Sequence, residues 1–358
     1  MVNDRLVHVL ESRDLMSKVQ CGFRKDHSTL DHLIRLETFI KKAFARKKQV
    51  LVFFFDLEKA YDSTWRRFCH LREGKHLQYL ECTIQLCINT VQKRVSENGF
   101  RFSVSKTTCV HFHRQRIYTE PALNLDGQSI PVKGEAKFLG DVFDSKLSFT
   151  NHVQYIKKKC LKALNLLRVV GHIDWSADRA TLLKLYRTLV RSKLDYGSVV
   201  YGSAKKHVLR ALDPIHHQGL CIALGTFRTS PIKSLYAEAG ESSLEHRRIK
   251  LAFYCVLKLK SLPRNPCHDV VFEAPLSNFS DDSKSESNLV ANTFEHIKNA
   301  KINLNTIDNL HVQCPPPWEE HQVHVDISLT KQKKEDTSEV AYRKGNSPRA
   351  HRKKKKTH

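Results

Sequence analysis

The stretch Val50-Leu51-Val52-Phe53-Phe54-Phe55-Asp56-Leu57-Glu58-Lys59-Ala60-Tyr61-Asp62 decides how the rest of the chain is read. Its first six residues are apolar and, apart from Leu51, β-branched or aromatic, which predicts a buried strand. Asp56 closes the run at once, and Tyr61 and Asp62 follow. A carboxylate at the carboxyl end of a buried strand is where magnesium-dependent phosphoryl chemistry places a metal ligand. The plainer reading is a solvated acid at a strand end.

Composition bounds what surrounds this strand. With 358 residues there is room for one large domain or two smaller ones, and 41% apolar content supplies a core over much of that length. Sixty Lys and Arg against 37 Asp and Glu give a formal charge of +23. The segment Lys344 to His358 carries seven of those cations and no acid, so about +16 remains elsewhere. Such an excess points to a polyanion, nucleic acid first and an anionic membrane second. The 10 cysteines are scattered with no CxxC pair, which argues against a zinc ribbon or a redox motif and for reduced core thiols. The longest apolar run, Val50 to Phe55, falls far short of the ~20 residues of a membrane helix, and no signal peptide is visible. An intracellular protein, nuclear or cytoplasmic, is the expectation.

Upstream, Gly22-Phe23-Arg24-Lys25 predicts a loop with two adjacent cations. Ser28 with Asp31 fits a helix N-terminus, followed by Leu33, Leu36, Ile40 and Ala43 at helical spacing. Downstream, Leu77, Leu80, Ile84, Ile88, Val91 and Val95 predict a helix from Gly74 to Asn98, stopped by Asn98-Gly99. A loop and strand follow in Phe100 to Arg114, and Asp126-Gly127 predicts a hairpin across Leu123 to Val132. From Ser148 the pattern turns helical. Val153, Ile156, Cys160, Ala163 and Leu167 mark one helix with Lys157-Lys158-Lys159 on its other face. Leu182, Leu185, Tyr186 and Leu189 mark a second, Asp213-Pro214 suits a helix start or a kink before His216-His217, and Ser242 with Glu245 fits a capping box for a last helix ending near Leu262. His216 and His217 are adjacent, cannot share a helix face as metal ligands, and read as structural or surface groups. After Pro263 order is expected to fade through the Ser-rich linker SNFSDDSKSESN.

The residues themselves say more than the pattern. VFFFDLEKAYDSTW (Val52 to Trp65) resembles the first carboxylate motif of the palm of reverse transcriptases from non-LTR retrotransposons, the jockey-like elements of arthropods above all. QCGFRKDHSTLDHL (Gln20 to Leu33) matches the finger motif of the same family, in the right order and at the expected distance. The resemblance runs to about Arg343 with one gap. It implies an RNA-directed DNA polymerase, a nucleotidyltransferase working on an RNA template and a DNA primer with Mg²⁺. It implies that Asp56 binds both metals, that Arg24 and Lys25 contact the template or the incoming phosphates, and that Tyr61 packs on the nucleotide sugar. Asp62 would orient the local backbone. Ser105-Lys106-Thr107 matches the palm motif whose lysine lies near the triphosphate, and KFLGDVFD (Lys137 to Asp144) the primer-grip strand.

The gap decides the functional expectation. The family supplies two adjacent aspartates on a hairpin before GKHLQYLE-like residues, and here GKHLQYLE follows closely on Trp65-Arg66. Two pairs of adjacent acids elsewhere, Asp281-Asp282 and Glu319-Glu320, lie in polar or Pro-rich surroundings. A lone carboxylate cannot hold two magnesium ions tightly, because Mg²⁺ needs several converging oxygens. Without them most of the electrostatic stabilisation of the transition state is lost.

The expected fold is α+β. Residues 1–66 carry fingers and the first palm motif. Residues 67–147 carry the remaining palm, a small mixed or antiparallel sheet without its central hairpin, and the primer-grip hairpin. Residues 148–262 form a helical thumb-like bundle, and residues 263–358 a linker and disordered basic tail, C-terminally truncated relative to the family. In that bundle Lys157, Lys158, Lys159, Arg187 and Arg191, with Lys205, Lys206, Arg247 and Arg248, are candidates to grip a duplex backbone. The run Lys353 to Lys356 suits a nuclear address or a nonspecific nucleic-acid patch, with a disordered translated remnant as the favoured reading. The expectation is therefore an inactive, internally deleted reverse transcriptase. The alternatives are a non-catalytic RNA- or DNA-binding remnant and a fragment without function.

Overall fold

The computed structural model describes residues 2–13, 15–16, 20–22, 24–56, 67–115, 118–171, 177–272 and 289–308. The chain divides into two compact units. One holds residues 1–16 and 312–358, in which the described element is helix α1 (Val2–Ser12). The other, residues 17–311, holds everything discussed below.

Helix α2 (Thr29–Ala45) starts at the predicted cap: the Asp31 carboxylate reaches back to accept from the Ser28 N–H (2.8 Å) and Oγ (3.1 Å). Its apolar stripe, Leu33, Leu36, Ile40 and Ala43, is buried. Strand β1 (Gln49–Asp56) is the predicted buried strand and the middle one of three, in the order β2-β1-β3. Because side chains alternate along a strand, its six apolar residues serve two cores. Val50, Val52 and Phe54 join α2 and the helices that follow, whereas Leu51, Phe53 and Phe55 face Leu80, Ile84 and Ile88 of α3 (Leu77–Glu97). Both faces are covered, which is why the run is continuously apolar.

Strand β2 (Arg67–Gly74) pairs antiparallel with β1 along its whole length, and β3 (Thr108–Phe112) pairs on the other side. The helix expected from Gly74 begins instead at Leu77. Gly74 ends β2, and a Cβ there would stand 3.0 Å from Leu80, so glycine lets the strand and the start of α3 pack closely. The far end of α3 stops at Asn98-Gly99 as expected, Gly99 having φ +76°.

Two small hairpins follow. β4 (Asn124–Leu125) and β5 (Gln128–Ser129) are joined by Asp126 (φ 57°) and Gly127 (φ 74°), the two-residue turn that Asp-Gly favours. β6 (Glu135–Phe138) and β7 (Asp141–Asp144) are joined by Leu139 (φ 47°) and Gly140 (φ 101°). The sheets are antiparallel, and one isolated parallel bridge joins Cys109 to Val132.

The helical part opens with α4 (Thr150–Val170), whose start is held by Asp144 accepting from the N–H groups of Ser148 (2.9 Å) and Phe149 (2.8 Å). Then come α5 (Arg179–Tyr186), a wider π-type turn (Arg187–Arg191), α6 (Ser192–Asp195), α7 (Ser198–Tyr201) and α8 (Lys206–Leu209). α9 (Asp213–Leu224), α10 (Ile232–Ala239) and α11 (Leu244–Ser261) complete it. Pro214 sits in the first turn of α9, as expected. The cap of α11 is Ser243, not Ser242: Ser243 Oγ accepts from the His246 N–H at 3.3 Å. The Ser242 carbonyl is taken by His216 Nε2 at 3.1 Å.

Order does not end at Pro263. α12 (Pro266–Phe272) and α13 (Leu289–Asn299) are both present. Asn265 Nδ2 donates to Asp31 at 3.0 Å and the Cys267 thiol to the Asp31 carbonyl at 2.9 Å, tying α12 to the start of α2. These bonds cross more than 200 residues, so no local pattern announces them. The Ser-rich stretch from Ser277 to Asn288 and the C-terminal segment from Asn309 lie outside the described residues. Eight cysteines are free among the described residues, and five of them are buried. No helix among the described residues is long and apolar enough to cross a membrane.

Candidate functional site

The carboxyl end of β1 is where the sequence motifs meet. Antiparallel pairing brings the amino ends of β2 and β3 to it, with Asp56 opposite Arg67 and Phe54 opposite Thr108. Asp56 is described by its backbone position at the last residue of β1. The turn before β3 carries Lys106, which is exposed. That turn is held by the Thr107 N–H and Oγ, each donating to the Ser103 carbonyl at 2.9 Å. The tip of the β6–β7 hairpin reaches the same end, since the Phe138 ring lies 5.3 Å from Phe54. There Tyr196 Oη donates to the Leu139 carbonyl and its ring flanks Gly140, where a Cβ would stand 2.9 Å from it. Register places Asp56 and Lys106 on one end of the sheet, and the Phe138–Phe54 contact brings the Leu139-Gly140 turn to the same end.

The remaining candidates sit elsewhere. Arg24 is half-buried and Lys25 exposed on the loop before α2, where the Lys25 carbonyl faces His27 Nδ1 at 3.0 Å. Tyr61 and Asp62 lie outside the described residues. On α4, Lys158 and Lys159 are exposed and Lys157 is half-buried. Tyr155, one turn before Lys159, receives a hydrogen bond from Lys137 Nζ at 2.7 Å, and Lys159 Nζ lies 4.5 Å from its ring. Hydrogen bonds from both lysines hold the phenol below its usual range. Lys137, Tyr155 and Lys159 thus form one basic cluster between the hairpin and α4, which spacing within α4 alone could not disclose.

Arg187 and Arg191 face inward to a carboxylate. Arg187 Nε and Arg191 Nη1 pair with Glu241 at 2.7 and 2.5 Å, and the Glu241 side chain is only 5% exposed. Burial alone would raise Glu241, but the two guanidiniums reverse this and hold it below the ordinary carboxylate range. Arg247 pairs with Asp195 at 2.8 Å, and Arg248 is buried. Arg187, Arg191 and Arg247 thus spend their charge on acids of the bundle.

His216 is a buried structural group. Nε2 donates to the Ser242 carbonyl and Nδ1 accepts from the Tyr186 hydroxyl. Burial lowers its pKa to about 4. His217 Nε2 meets Tyr236 Oη at 2.7 Å.

Known proteins similar to this chain point to one kind of element. No family model matches. Over 103 residues the chain is 32% identical to the Retrovirus-related Pol polyprotein from type-1 retrotransposable element R1 of Bradysia coprophila, covering 28% of this chain and 10% of that protein. It is 24% identical over 187 residues, 48% of each protein, to the corresponding R1 4 polyprotein of Nasonia vitripennis. A probable RNA-directed DNA polymerase from transposon BS of Drosophila melanogaster is 32% identical over 65 residues, 18% of this chain and 7% of that protein. The chain is thus similar to non-LTR retrotransposon Pol polyproteins, as its motifs indicate. It spans at most about half the length of these relatives, 48% in the longest match.

Proposed function

We propose that the chain is a nucleic-acid-binding derivative of an RNA-directed DNA polymerase that has lost nucleotidyl transfer. The observation that carries this reading is the pairing of Asp56 with Arg67. By resemblance, two adjacent aspartates belong on the strand just before GKHLQYLE. Here that strand is β2, and its first residues and those before it read Trp65-Arg66-Arg67-Phe68. Cations stand in the sequence where carboxylates are needed.

A magnesium pair does not fit this donor set. Mg²⁺ demands near-octahedral oxygen ligation, and two ions need several carboxylates between them. Asp56 contributes one carboxylate, its register partner across the ladder is an arginine, Arg67, the exposed Lys106 lies on the turn before β3, and among the described residues no group of three or more His, Cys, Asp or Glu is placed to hold a metal. Nucleotide-binding roles for Arg24, Lys25 and Tyr61 rest on the motif match alone.

Binding to RNA or DNA needs no metal pair, only cations facing a phosphate backbone. Lys158 and Lys159 with Lys137 offer such a face; Arg187 and Arg191, paired with Glu241, do not. The resemblance to RNA-directed DNA polymerases supports a template–primer duplex as the nucleic acid.

Primer extension on an RNA template with Mg²⁺, run on the chain and on Asp56→Ala, tests the reading. Neither is expected to extend. Extension that disappears in Asp56→Ala would overturn the loss of chemistry. In parallel, nucleic-acid affinity is expected to fall with salt, and Lys158→Ala with Lys159→Ala to reduce the log–log salt slope by about 2, roughly 0.9 per lost phosphate contact. Affinity insensitive to salt would remove the binding role.

A further inference from the structure

The β6–β7 hairpin meets the helical part of the molecule through a carboxyl group that has no business being ionised there. Asp141 is 0% exposed. Neither of its oxygens makes a hydrogen bond among the described residues. Its carboxyl group lies against Gly197, so closely that a Cβ at that position would overlap it. Gly197 has φ +67° and precedes α7.

The groups facing Asp141 come from three helices. From α4, His152 presents Nε2 to Asp141 Oδ1 at 3.5 Å. From α2, Glu37 adds a second buried carboxylate; it pairs with Lys41 at 3.3 Å and accepts from Ser203 Oγ at 2.7 Å. From α7 comes Tyr201, whose hydroxyl donates to the Leu194 carbonyl; Ser198, next in the chain after Gly197, has an Oγ without a hydrogen-bond partner among the described residues. Lys137 and Lys159 lie beyond His152 and disfavour its charged form.

One backbone contact settles how the pair carries its proton. The Val142 N–H donates to His152 Nδ1 at 3.1 Å, so that nitrogen must keep its lone pair. An imidazolium, which carries protons on both nitrogens, cannot accept there. His152 is therefore neutral, with its hydrogen on Nε2 facing Asp141. The close approach of His152 to Asp141 is then a contact with a dipole and not a salt bridge. Burial, reinforced by the neighbouring Lys159 and Lys137, puts His152 at about 4. An ionised Asp141 would face burial and the Glu37 charge with no cation in contact.

We propose that Asp141 is a proton-operated seam: protonated, it seats the hairpin against Gly197 and α4; ionised, it loosens that seating. Uncharged, the carboxyl group tolerates a contact with the Gly197 backbone. Ionised, it must be solvated, and solvation requires the hairpin to lift. The hairpin carries the Leu139-Gly140 turn at its tip, so the proton controls how firmly that turn is held. This seam stands on its own geometry and does not depend on the nucleic-acid reading.

The sign follows from linkage. Burial first, and the Glu37 charge second, raise Asp141 to about 7. Between the ordinary aspartate range and about 7 the folded chain holds a proton that the unfolded chain does not, so this contribution to stability declines as pH rises and levels off above about 7. His152 works in the opposite sense: its depressed value makes stability rise between about 4 and the ordinary histidine range. The two slopes largely cancel in the wild-type chain, and a single substitution exposes one of them.

Urea unfolding of the full chain and of Asp141→Asn, from pH 4 to 9, reads the Asp141 slope directly. Asn has the shape of the neutral acid and does not titrate. The ratio of folding constants, wild type over variant, is expected to fall by up to about tenfold per pH unit below about 7 and then to level. A ratio that is flat or rises with pH overturns the proposal. A carbon-13 titration of the Asp141 carboxyl group in the unaltered chain covers the case in which Asp141→Asn fails to fold. A midpoint near 7 is expected, and one in the ordinary aspartate range or below overturns it. The Val142 amide reads the seam itself: its exchange protection is expected to drop as Asp141 ionises, and protection that is constant through that titration overturns the loosening.

Discussion

The open end of the three-stranded sheet and the seam beneath the β6–β7 hairpin each turn on one aspartate, and their surroundings differ. Asp56 ends a strand, with Arg67 opposite it in register and the exposed Lys106 on the turn before β3. Asp141 is enclosed, with a neutral imidazole beside it and a second acid nearby. Around the first, no group of three or more His, Cys, Asp or Glu that could hold a metal stands among the described residues; the second lacks, among the described residues, the cation that burial of a charge requires. A carboxylate's role is set by what converges on it, and the motif around it does not report that. The arginines of the bundle give the contrasting case: Glu241 has two guanidiniums and is held ionised.

Three substitutions sharpen the contrast, from the largest effect to the smallest. Gly197→Ala strikes the seam, because it forces a left-handed backbone on alanine and drives its Cβ into the Asp141 carboxyl group. A loss of about 3 kcal/mol in urea-unfolding stability is expected. A loss under about 1 kcal/mol would show that the seam yields easily.

Glu241→Gln removes the acid that Arg187 and Arg191 share. Both arginines are partly exposed, 39% and 23%, so water screens the loss and about 1–2 kcal/mol is expected. Because the folded-state value of Glu241 is depressed, its contribution is present above the ordinary carboxylate range and disappears as pH falls through that depressed value. The destabilisation by Glu241→Gln should therefore be seen at neutral pH and vanish in acid; thermal melts across pH follow it. Freed of Glu241, the two arginines would also add to salt-dependent nucleic-acid binding, which separates spent cations from available ones.

Ser243→Ala removes the α11 cap and should cost about 1 kcal/mol, while Ser242→Ala should stay within about 0.5 kcal/mol. Equal effects would mean that the helix start is not held at Ser243.

Several local features were legible in the residues. Alternating burial needs only an apolar run of the right length, and Val50 to Phe55 supplied it. The Ser28–Asp31 cap, the Asp126-Gly127 turn, the buried face of α4 and the start of α9 at Asp213-Pro214 rest on neighbours a few positions apart, and each lies where periodicity put it. Strand β2 was not legible, because RFCHLREG has no two-residue alternation and becomes a strand only by pairing with β1. Helix α12 escaped because its ties run to Asp31, far back in the chain. The choice of Ser243 over Ser242 turned on His216 taking the Ser242 carbonyl.

The candidate site divides in the same way. The motifs of Asp56, Lys106 and Leu139-Gly140 could be named from the sequence, and so could the missing pair of aspartates, because each is a matter of residue type and order. That the three motifs share one sheet end followed only from strand register and from the packing of Phe138 on Phe54. Which cations are available and which are spent could not be read from a helical face, since Arg187 and Lys159 look alike until Glu241 and Tyr155 are placed beside them. By itself the sequence determined the polymerase-like order of motifs and the excess of positive charge. The tertiary structure decided which charges meet, since electrostatic partnership depends on distance through space and on exclusion of water, neither of which is a property of neighbours along the chain.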